Sequence, residues 1–470
     1  MTGLPIRKAC AMLAALLLTA CAGAGPYHAP ALPLAPAWTA ANATPRAPAA
    51  EWWRDLGDPA LDRLVAAGLS DNSDIAVALA RLDQARAAAQ VSGAARLPAA
   101  QASASVARQR QSLDSGLGQL TRYVPTLSRT QNQGEIGVGA SWDIDFAGAL
   151  AGQERAAKAD AVAAQAAFAA TRLATTAEIA QSWLAWRSAR ADRALLGTQR
   201  DLIAQQLRIA EAQVARGDSG RGELDRARAV LAQIDAALPD FDTAIASAHH
   251  RLAILTGRPA GAALPELDGL RATGAWPDPG DPAAGTPADV LRLRPDIVVA
   301  EARLRASHAR ISTALGEYWP KFSLSGMFGF SSNDLSLLGS GSANVITGAA
   351  GLRWRLFDFG RIDGEVAAAR GAEREALAAY RGTVLAAGGD VEDAFVALVD
   401  ARRTLAARLT ADAAQAALLS HADAAARAGE ISQADLIGAH VKRIDAARAV
   451  LAARVRLTGA LIACHRALGG

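Results

Sequence analysis

Two short, similar stretches of sequence constrain the fold of this chain most strongly. Trp142 recurs as Trp354, and Gly148 recurs as Gly360, so both pairs have the same separation. In both copies a run of alternating apolar residues ends at the glycine, and a very long helical pattern follows. A strand that leads into a long helix, made twice at one spacing, predicts a chain built of two similar halves.

A helical pattern precedes the strands in each half. The first covers residues 59–96 and ends before Pro98; the second covers 286–317 and ends before Pro320, the counterpart of Pro98. Asp58 stands directly before the first pattern, and an aspartate there caps a helix that begins with proline. We expect one helix before the strands in each half.

After each proline the hydrophobic period changes to two. Weak alternation covers residues 101–110, and Phe322 to Phe330 alternates more clearly. The second strand of each pair has one apolar face, formed by Ile136, Val138, Ala140, Trp142, Ile144 and Phe146 and by Ile346, Ala350, Leu352, Trp354 and Leu356. The opposite face is polar and in places charged. Loops rich in Ser, Gly, Asn and Thr are expected at 112–132 and 331–344.

Two interpretations of these hairpins stay open. One is a soluble hairpin whose apolar face packs on a protein core. The other is a membrane hairpin with lipid on its apolar face and a water-filled lumen on the other. Four strands cannot close a barrel, and open edges are not tolerated in lipid. The membrane interpretation therefore requires several chains to pool their strands.

The longest helical patterns follow the strands. They run from about Leu150 to Arg216 and from Ile362 to Arg427, and each would be on the order of 100 Å long. Ile179, Trp183 and Trp186 match Val391, Phe395 and Leu398, as in a packing seam between neighbouring helices. Each pattern ends at a glycine turn, and a returning helix follows, to about Thr256 and about Ala467.

The N-terminus has the pattern of a targeting segment. Arg7 and Lys8 precede a short apolar run that closes on Leu18-Thr19-Ala20-Cys21. The run is too short to span a bilayer, so it predicts a cleaved signal peptide with lipid attached to Cys21. The predicted division of the chain is a lipoprotein signal peptide (1–20), a lipidated tether (21–58), a first repeat (59–258), a Pro/Gly-rich linker (259–286) and a second repeat (287–470).

Composition excludes several function classes. The formal charge of +3 falls to about +1 without Arg7 and Lys8, which argues against nucleic acid as a partner. Gly217-Asp218-Ser219-Gly220 looks like a serine-protease motif, but its surroundings are helical and the second half does not preserve it. The seven histidines lack the spacing of a zinc site on a helix. No enzyme activity, cofactor or metal is expected.

Three carboxylates lie just past the glycine turns. They are Glu223 and Asp225 in the first half and Asp435 in the second. In a symmetric assembly each would form a ring about the axis, and such rings select cations or gate a pore. The alternative is an acid in the first helical turn that favours the helix N-terminus.

The chain resembles the TolC-type outer-membrane efflux channels, in the NodT/OprM-like lipoprotein branch of RND-type tripartite efflux systems. The resemblance covers essentially all of the mature chain. It rests on Cys21 in its lipobox, Asp58-Pro59-Ala60-Leu61, Leu293-Arg294-Pro295-Asp296-Ile297, Tyr318-Trp319-Pro320, Leu356-Phe357-Asp358-Phe359-Gly360-Arg361 and the closing Ala467-Leu468-Gly469-Gly470.

The resemblance implies an α+β membrane fold. Two tandem repeats of helix, hairpin, long helix and helix would build a homotrimer. Its 12-stranded β-barrel, with four strands per chain, would continue into a periplasmic α-helical barrel. The protein would be a lipid-anchored outer-membrane duct that passively exports small molecules. An inner-membrane RND-type pump would deliver them through a periplasmic adaptor.

The resemblance also implies an acidic constriction in the second-half turn. Asp435 falls on its first acidic position, Gly438 on the second, and Val441 on a position where arginine is frequent. In the first half Glu223 takes the place of an aspartate. The alternatives that remain are a lipid-anchored periplasmic scaffold or adaptor without a pore, and an outer-membrane channel for type I secretion.

Overall fold

The computed structural model describes residues 24–31, 36–39, 51–124, 126, 128–218, 220–270, 276 and 286–469. The predicted signal peptide and Cys21 lie outside this range, as does most of the predicted linker. The helices are α1 (Pro59–Asp71), α2 (Ser73–Ala94), α3 (Gly116–Tyr123), α4 (Ala149–Arg216), α5 (Arg221–Leu255), α6 (Pro287–Leu293), α7 (Pro295–Leu315), α8 (Arg361–Ala428) and α9 (Gln433–Leu468). The strands are β1 (Ala99–Arg110), β2 (Thr130–Ile144), β3 (Lys321–Ser332) and β4 (Asn344–Arg353).

The chain divides into two compact units. Unit 1 comprises residues 1–30, 83–163 and 301–379, and contains the four strands. Unit 2 comprises residues 31–82, 164–300 and 380–470. The α+β composition and the order helix, hairpin, long helix, helix in each half confirm the expected fold class. Among the described helices, none has an apolar stretch long enough to cross a membrane.

The helix before the strands is broken in each half, so the expectation of one continuous helix was wrong. The breaks fall at Asn72 and Arg294, which are equivalent positions of the two repeats. Pro295 explains the second break, because proline disfavours helical geometry in the residue before it. At the first break the side chain of Asn72 accepts hydrogen bonds from the backbone N–H groups of Asp74 (2.9 Å) and Ile75 (3.1 Å), and so caps α2.

The two breaks make equivalent contacts in unit 2. Asn72 Nδ2 donates to the carbonyl oxygen of Leu255 at 2.9 Å, and Arg294 Nη1 donates to that of Ala467 at 2.7 Å. Leu255 and Ala467 are themselves equivalent positions, at the ends of α5 and α9. Each break therefore ties the first helix pair of its repeat to the last helix through one buried hydrogen bond.

The core of unit 2 confirms the predicted packing seam. Ile179, Trp183 and Trp186 on α4 are buried in one apolar cluster with the side chains of Trp52 and Leu61. Their counterparts on α8 (Val391, Phe395 and Leu398) are buried in a second cluster, which also includes Cys464. Removal of such apolar side chains from water contributes about 1.5–3 kcal/mol each to the stability of the helices.

The predicted cap at Asp58 is confirmed, and its carboxylate has a second partner. Asp58 Oδ1 accepts from the backbone N–H groups of Ala60 (2.8 Å) and Leu61 (3.3 Å). Its other oxygen lies 2.5 Å from Arg187 Nη1 on α4, and both side chains are buried. Burial is the main reason that the pKa of Arg187 lies below its ordinary value, and the charge of Asp58 opposes that shift.

The strands form one antiparallel sheet in the order β1-β2-β3-β4. The register brings the apolar positions onto one face of all four strands: Ala102 is opposite Val138, Val138 opposite Phe328, and Phe328 opposite Ile346. The next rows join Trp142 to Leu324, and Ile144 to Phe322 and Leu352. The other face carries polar and small residues, including Gln101, Ser103, Ser105, Glu135, Asp143, Ser323 and Thr347.

The strand ends and the first loop differ from the sequence prediction. β2 ends at Ile144 and β4 ends at Arg353, so Phe146, Trp354 and Leu356 lie outside the strands. The first predicted loop contains α3, a short helix.

Each long helix begins at an aspartate cap. Asp145 accepts hydrogen bonds from the backbone N–H groups of Leu150 (3.0 Å) and Ala151 (2.6 Å), and Asp358 accepts one from Ile362 (2.9 Å). Gly148 (φ 74°) and Gly360 (φ 83°) supply the left-handed backbone that the turn before each helix requires. The resulting helices, α4 and α8, have 68 residues each and confirm the predicted length.

The two repeated tryptophans make the same hydrogen bond in unit 1. Trp142 Nε1 donates to the carbonyl oxygen of Arg96 at 2.9 Å, and Trp354 Nε1 donates to that of Tyr318 at 3.0 Å. Arg96 and Tyr318 are equivalent positions, two residues before Pro98 and Pro320 respectively, and stand just before β1 and β3. Each indole therefore joins the chain near the end of the second hairpin strand to the residues just before the first.

Replacing either indole with phenylalanine tests this fastening. Trp142→Phe and Trp354→Phe keep an aromatic ring but remove the N–H donor, so each should lower the stability of the sheet by about 1 kcal/mol. The measurement is the thermal unfolding of the purified protein in detergent, followed by circular dichroism in the strand region. Phe322→Leu, which removes no hydrogen bond, is the control. Equal stability of both tryptophan variants and the wild type would contradict a structural role for the two bonds.

Candidate functional site

The sheet of unit 1 is exposed to an unusual degree on its apolar face. Its apolar residues are solvent-exposed in the single chain. Their exposed fractions are 69% for Val106, 52% for Val138, 52% for Phe328, 73% for Ile346 and 62% for Leu352. Within the described residues, β1 and β4 each pair with a neighbour on one side only. A large apolar surface bordered by unpaired strand edges is a surface that other molecules must cover.

Charged side chains gather close to the ends of β3 and β4. Glu317 is paired with Lys321 (2.5 Å) and with Arg355 (3.2 Å). Arg355 also lies 3.6 Å from Glu365, which pairs in turn with Arg361 (3.0 Å). Ion pairs at a partly exposed position contribute little to stability, so this network indicates a polar border to the sheet rather than a main source of its stability.

The first glycine turn places two of the candidate acids on one exposed helix start. Gly217 (φ 76°) ends α4, and α5 begins at Arg221. Glu223 pairs with Arg226 at 2.5 Å, three residues along the same helix. Asp225 lies 4.0 Å from Arg228, again three residues along. Both acids are therefore partly neutralised by arginines of their own helix.

The second glycine turn places Asp435 in a capping box. The hydroxyl of Ser432 accepts a hydrogen bond from the Asp435 N–H at 3.1 Å, and the Asp435 carboxylate accepts from the Ser432 N–H at 3.2 Å and from its hydroxyl at 2.6 Å. These bonds, the hydroxyl first, hold the pKa of Asp435 below its ordinary value of 3.8. The carboxylate is exposed, and it is ionised at neutral pH.

The remaining two positions in this turn have no charge. A methyl group added at Gly438 would meet open space, so no packing requirement excludes a larger residue there. Val441 contacts an apolar cluster formed by Leu196, Ile203 and Ile234 on α4 and α5. At Val441, where the resemblance implies arginine, this chain therefore joins α9 to α4 and α5 by apolar packing.

Ion pairs that the sequence prediction missed fix the same helices. Arg448 on α9 makes a two-pronged contact with Asp192 on α4, at 2.5 and 3.2 Å. Arg193 makes a similar contact with Asp242 on α5, at 2.5 and 3.2 Å. The hydrogen bond to Asp192 is the main reason that the pKa of Arg448 is raised. Two-pronged arginine–carboxylate pairs also restrict orientation, so they resist rotation of one helix against the next.

The groups considered for metal binding and for the protease-like motif are placed as follows. No group of three or more His, Cys, Asp and Glu side chains there is arranged to hold a metal ion. Ser219, the centre of the protease-like motif, lies outside the described residues. Its neighbour Asp218 pairs with Arg216 at 3.1 Å across the helix end, as expected of a turn residue.

Comparisons with known proteins assign the chain to a family. The model of the family "Outer membrane efflux protein" matches residues 64–258 and 286–470. The outer membrane protein OprJ of Pseudomonas aeruginosa is 29% identical over 475 residues, covering 98% of this chain and 95% of OprJ. The pyoverdine export outer membrane protein OpmQ of Pseudomonas putida is 30% identical, covering 83% of this chain and 81% of OpmQ.

Comparison of the fold with solved structures agrees with this family. The solved structure of the outer-membrane channel OprN is 26% identical and superposes with a TM-score of 0.80, covering 95% of this chain and 98% of OprN. The predicted family, fold class, outer-membrane location and export function are thereby confirmed. This chain belongs to the outer membrane efflux protein family and is an outer-membrane exit duct for efflux.

Proposed function

We propose that three copies of this chain close one 12-stranded barrel and form a passive duct. The observation that carries the proposal is the exposed apolar face of a four-stranded sheet whose edge strands β1 and β4 each lack a second neighbour in the described chain. Strands of 12, 15, 12 and 10 residues are long enough for a tilted crossing of about 9–11 residues. Pairing β4 of one copy with β1 of the next would satisfy both edges.

The proposed duct performs no chemistry of its own. Its partners would be a periplasmic adaptor and an inner-membrane RND-type pump, which supplies the energy and selects small molecules such as drugs or toxic compounds. Neither enzyme activity nor a cofactor is part of this proposal. The relatives OprJ and OpmQ support an outer-membrane component of this kind, because both are outer membrane proteins and OpmQ exports pyoverdine.

Lipid on Cys21 is the proposed membrane anchor. Once the signal peptide is removed, Cys464 is the one other cysteine in the chain. Cys464 is buried, its Sγ donates to the carbonyl oxygen of Ala394 at 3.2 Å, and burial raises the pKa of its thiol to about 12. The reactive thiolate is therefore almost absent at ordinary pH.

Asp435, Glu223 and Asp225 are the proposed acids of the periplasmic aperture. The support is their exposure at the two glycine turns, together with the match of Asp435 to an acidic position of the family. Asp435 is the strongest candidate because its capping box orients the carboxylate, which is exposed and is ionised at neutral pH. Asp435 also has a purely structural role as part of the capping box at the start of α9. An experiment therefore has to distinguish the effect of its charge from the effect of the cap.

Conductance in planar bilayers separates these two roles. Asp435→Asn and Asp435→Ala remove the charge, whereas Ser432→Ala breaks the capping box and keeps the charge. We expect a largely closed wild-type channel. Both Asp435 variants should open it or lower its preference for cations by roughly twofold or more. Ser432→Ala should behave as the wild type.

Two results would contradict this assignment. If Ser432→Ala changes conductance as much as Asp435→Ala does, the cap rather than the charge controls the aperture. If neither Asp435 variant differs from the wild type, Asp435 does not gate the channel. A purified protein that is monomeric and never conducts would instead contradict the proposal of a trimeric duct.

Thiol labelling tests the lipid anchor. With Cys21 lipidated, the native protein should react negligibly with a maleimide at pH 8, because the Cys464 thiol is buried and its pKa is raised to about 12. Unfolding should release one reactive thiol per chain. Cys464→Ala is the control and should show no labelling in either state. Rapid labelling of the native wild type and of Cys464→Ala would identify Cys21 as a free thiol and contradict the anchor.

A further inference from the structure

A pocket of about 670 Å³ opens in unit 1 beside the segment that follows Cys21. Residues 24–27 form one wall, and α4 and α7 form the others. The side chains that matter for its chemistry are those of Phe146, Arg155, Lys158, Val162, Arg305 and His308. Its volume is in the range of pockets that hold small-molecule ligands.

Specific contacts hold the N-terminal segment against α7. The backbone N–H of Ala24 donates to Ser312 Oγ at 3.2 Å, and His308 Nε2 lies 3.3 Å from the carbonyl oxygen of Gly25. The ring of Tyr27 meets His308 edge-on at 5.8 Å, and the guanidinium of Arg305 lies 5.1 Å from the centre of the Tyr27 ring. Ala24 follows Cys21 closely in sequence, and the chain between them can span at most about 11 Å.

The pocket has an excess of positive charge. Arg155 is exposed and has no ion-pair partner within the described part of the chain. Lys158 pairs with Glu154 at 2.6 Å, but that carboxylate is shared with Arg96 at 2.5 Å. The acid of the pocket wall, Asp145, accepts hydrogen bonds from two backbone N–H groups at the start of α4. The other basic residues of the lining have carboxylate partners, Arg305 with Glu301 at 3.0 Å and His308 with Glu373 at 2.6 Å. An anion that entered the pocket would therefore meet two incompletely neutralised cations, Arg155 and Lys158.

The same pocket adjoins the apolar face of the sheet. Phe146, on its wall, contacts Phe322 edge-on with ring centres 6.0 Å apart, and Phe322 belongs to the apolar row of β3. Phe146 lies just past the end of β2. Val162, also on the wall, is 44% exposed. Cations and exposed apolar surface thus lie together at the helix-facing end of the strands.

From this combination we propose that the pocket binds the phosphate headgroup of a phospholipid. The cations would take the phosphate, as lysine and arginine do near membrane surfaces, and the apolar wall would meet the beginning of the acyl chains. The inference rests on the proposed barrel, in which the apolar face of the sheet is the lipid side. Membrane lipid is favoured over free phosphate because the apolar wall can contact acyl chains, whereas it contributes nothing to the binding of a free ion.

Lipid titration of the purified full chain tests the site. Delipidated protein in detergent is titrated with phosphatidylglycerol, and native mass spectrometry counts the bound lipids. We expect one saturable phosphatidylglycerol per chain, with binding roughly 10- to 30-fold weaker in the double variant Arg155→Gln/Lys158→Gln. Arg155→Lys/Lys158→Arg keeps both charges and should bind as the wild type. Arg403→Gln/Arg408→Gln removes two exposed charges of α8 elsewhere and should also bind as the wild type.

Three results would overturn the proposal. They are equal binding by the wild type and Arg155→Gln/Lys158→Gln, equal weakening by Arg403→Gln/Arg408→Gln, and displacement of the lipid by an excess of inorganic phosphate, which would identify a free-anion site. Conductance of the same preparations keeps the two proposals apart. A variant that conducts normally but no longer binds the lipid would support the lipid site and leave the proposed duct intact. A wild-type protein that binds the lipid but does not conduct would contradict the duct and still support the lipid site.

Discussion

The backbone N–H and C=O groups along the outer edges of β1 and β4 impose the constraint on which the rest of the structure depends. In a membrane such groups have to be paired, because no water is present to satisfy them. The described chain supplies four strands with a common apolar face but no partner for the two outermost. A duct made by one copy is therefore excluded on physical grounds, and closure by further copies follows.

Duplicated hydrogen bonds explain how one chain makes two equivalent hairpins. The indoles of Trp142 and Trp354 donate to carbonyl oxygens at equivalent positions before β1 and β3. In unit 2 the side chains at the two helix breaks, Asn72 and Arg294, donate to equivalent carbonyl oxygens of α5 and α9. Asparagine and arginine are chemically unlike, yet each supplies an N–H donor. The two halves therefore keep the donor and its target while the side chain that carries the donor differs.

Sequence periodicity predicted the parts of this fold that depend on local pattern. The long helices, the glycine turns, the cap at Asp58 and the apolar face of the sheet all follow from spacing or from turn chemistry. The break at Asn72 had a local signal, because asparagine is a preferred N-cap residue, but its hydrogen bond to a carbonyl group 183 residues away could not be predicted from the sequence. Pro295 indicates the break at Arg294, but the helical period of the residues on either side predicts a continuous helix. The Arg448–Asp192 pair joins α9 to α4, which are far apart in sequence. Both helices carry many charged residues, and no local sequence pattern indicates which of them form pairs.

The cap and the aperture are compatible roles for Asp435, and the electrostatics explain why. Like charges brought together around an axis favour protonation, which would discharge a ring of acids as the copies approach. The Ser432 hydroxyl and N–H act in the opposite direction, because they lower the pKa of the Asp435 carboxyl below 3.8. A group with a lowered folded-state pKa stabilises the fold above its ordinary pKa and loses that effect as the pH falls through the lower value. The capping box therefore extends the ionised state of Asp435 to lower pH, although the carboxylate is charged at neutral pH without it. Glu223 and Asp225 instead face arginines of their own helix and would bring less net charge to such a ring.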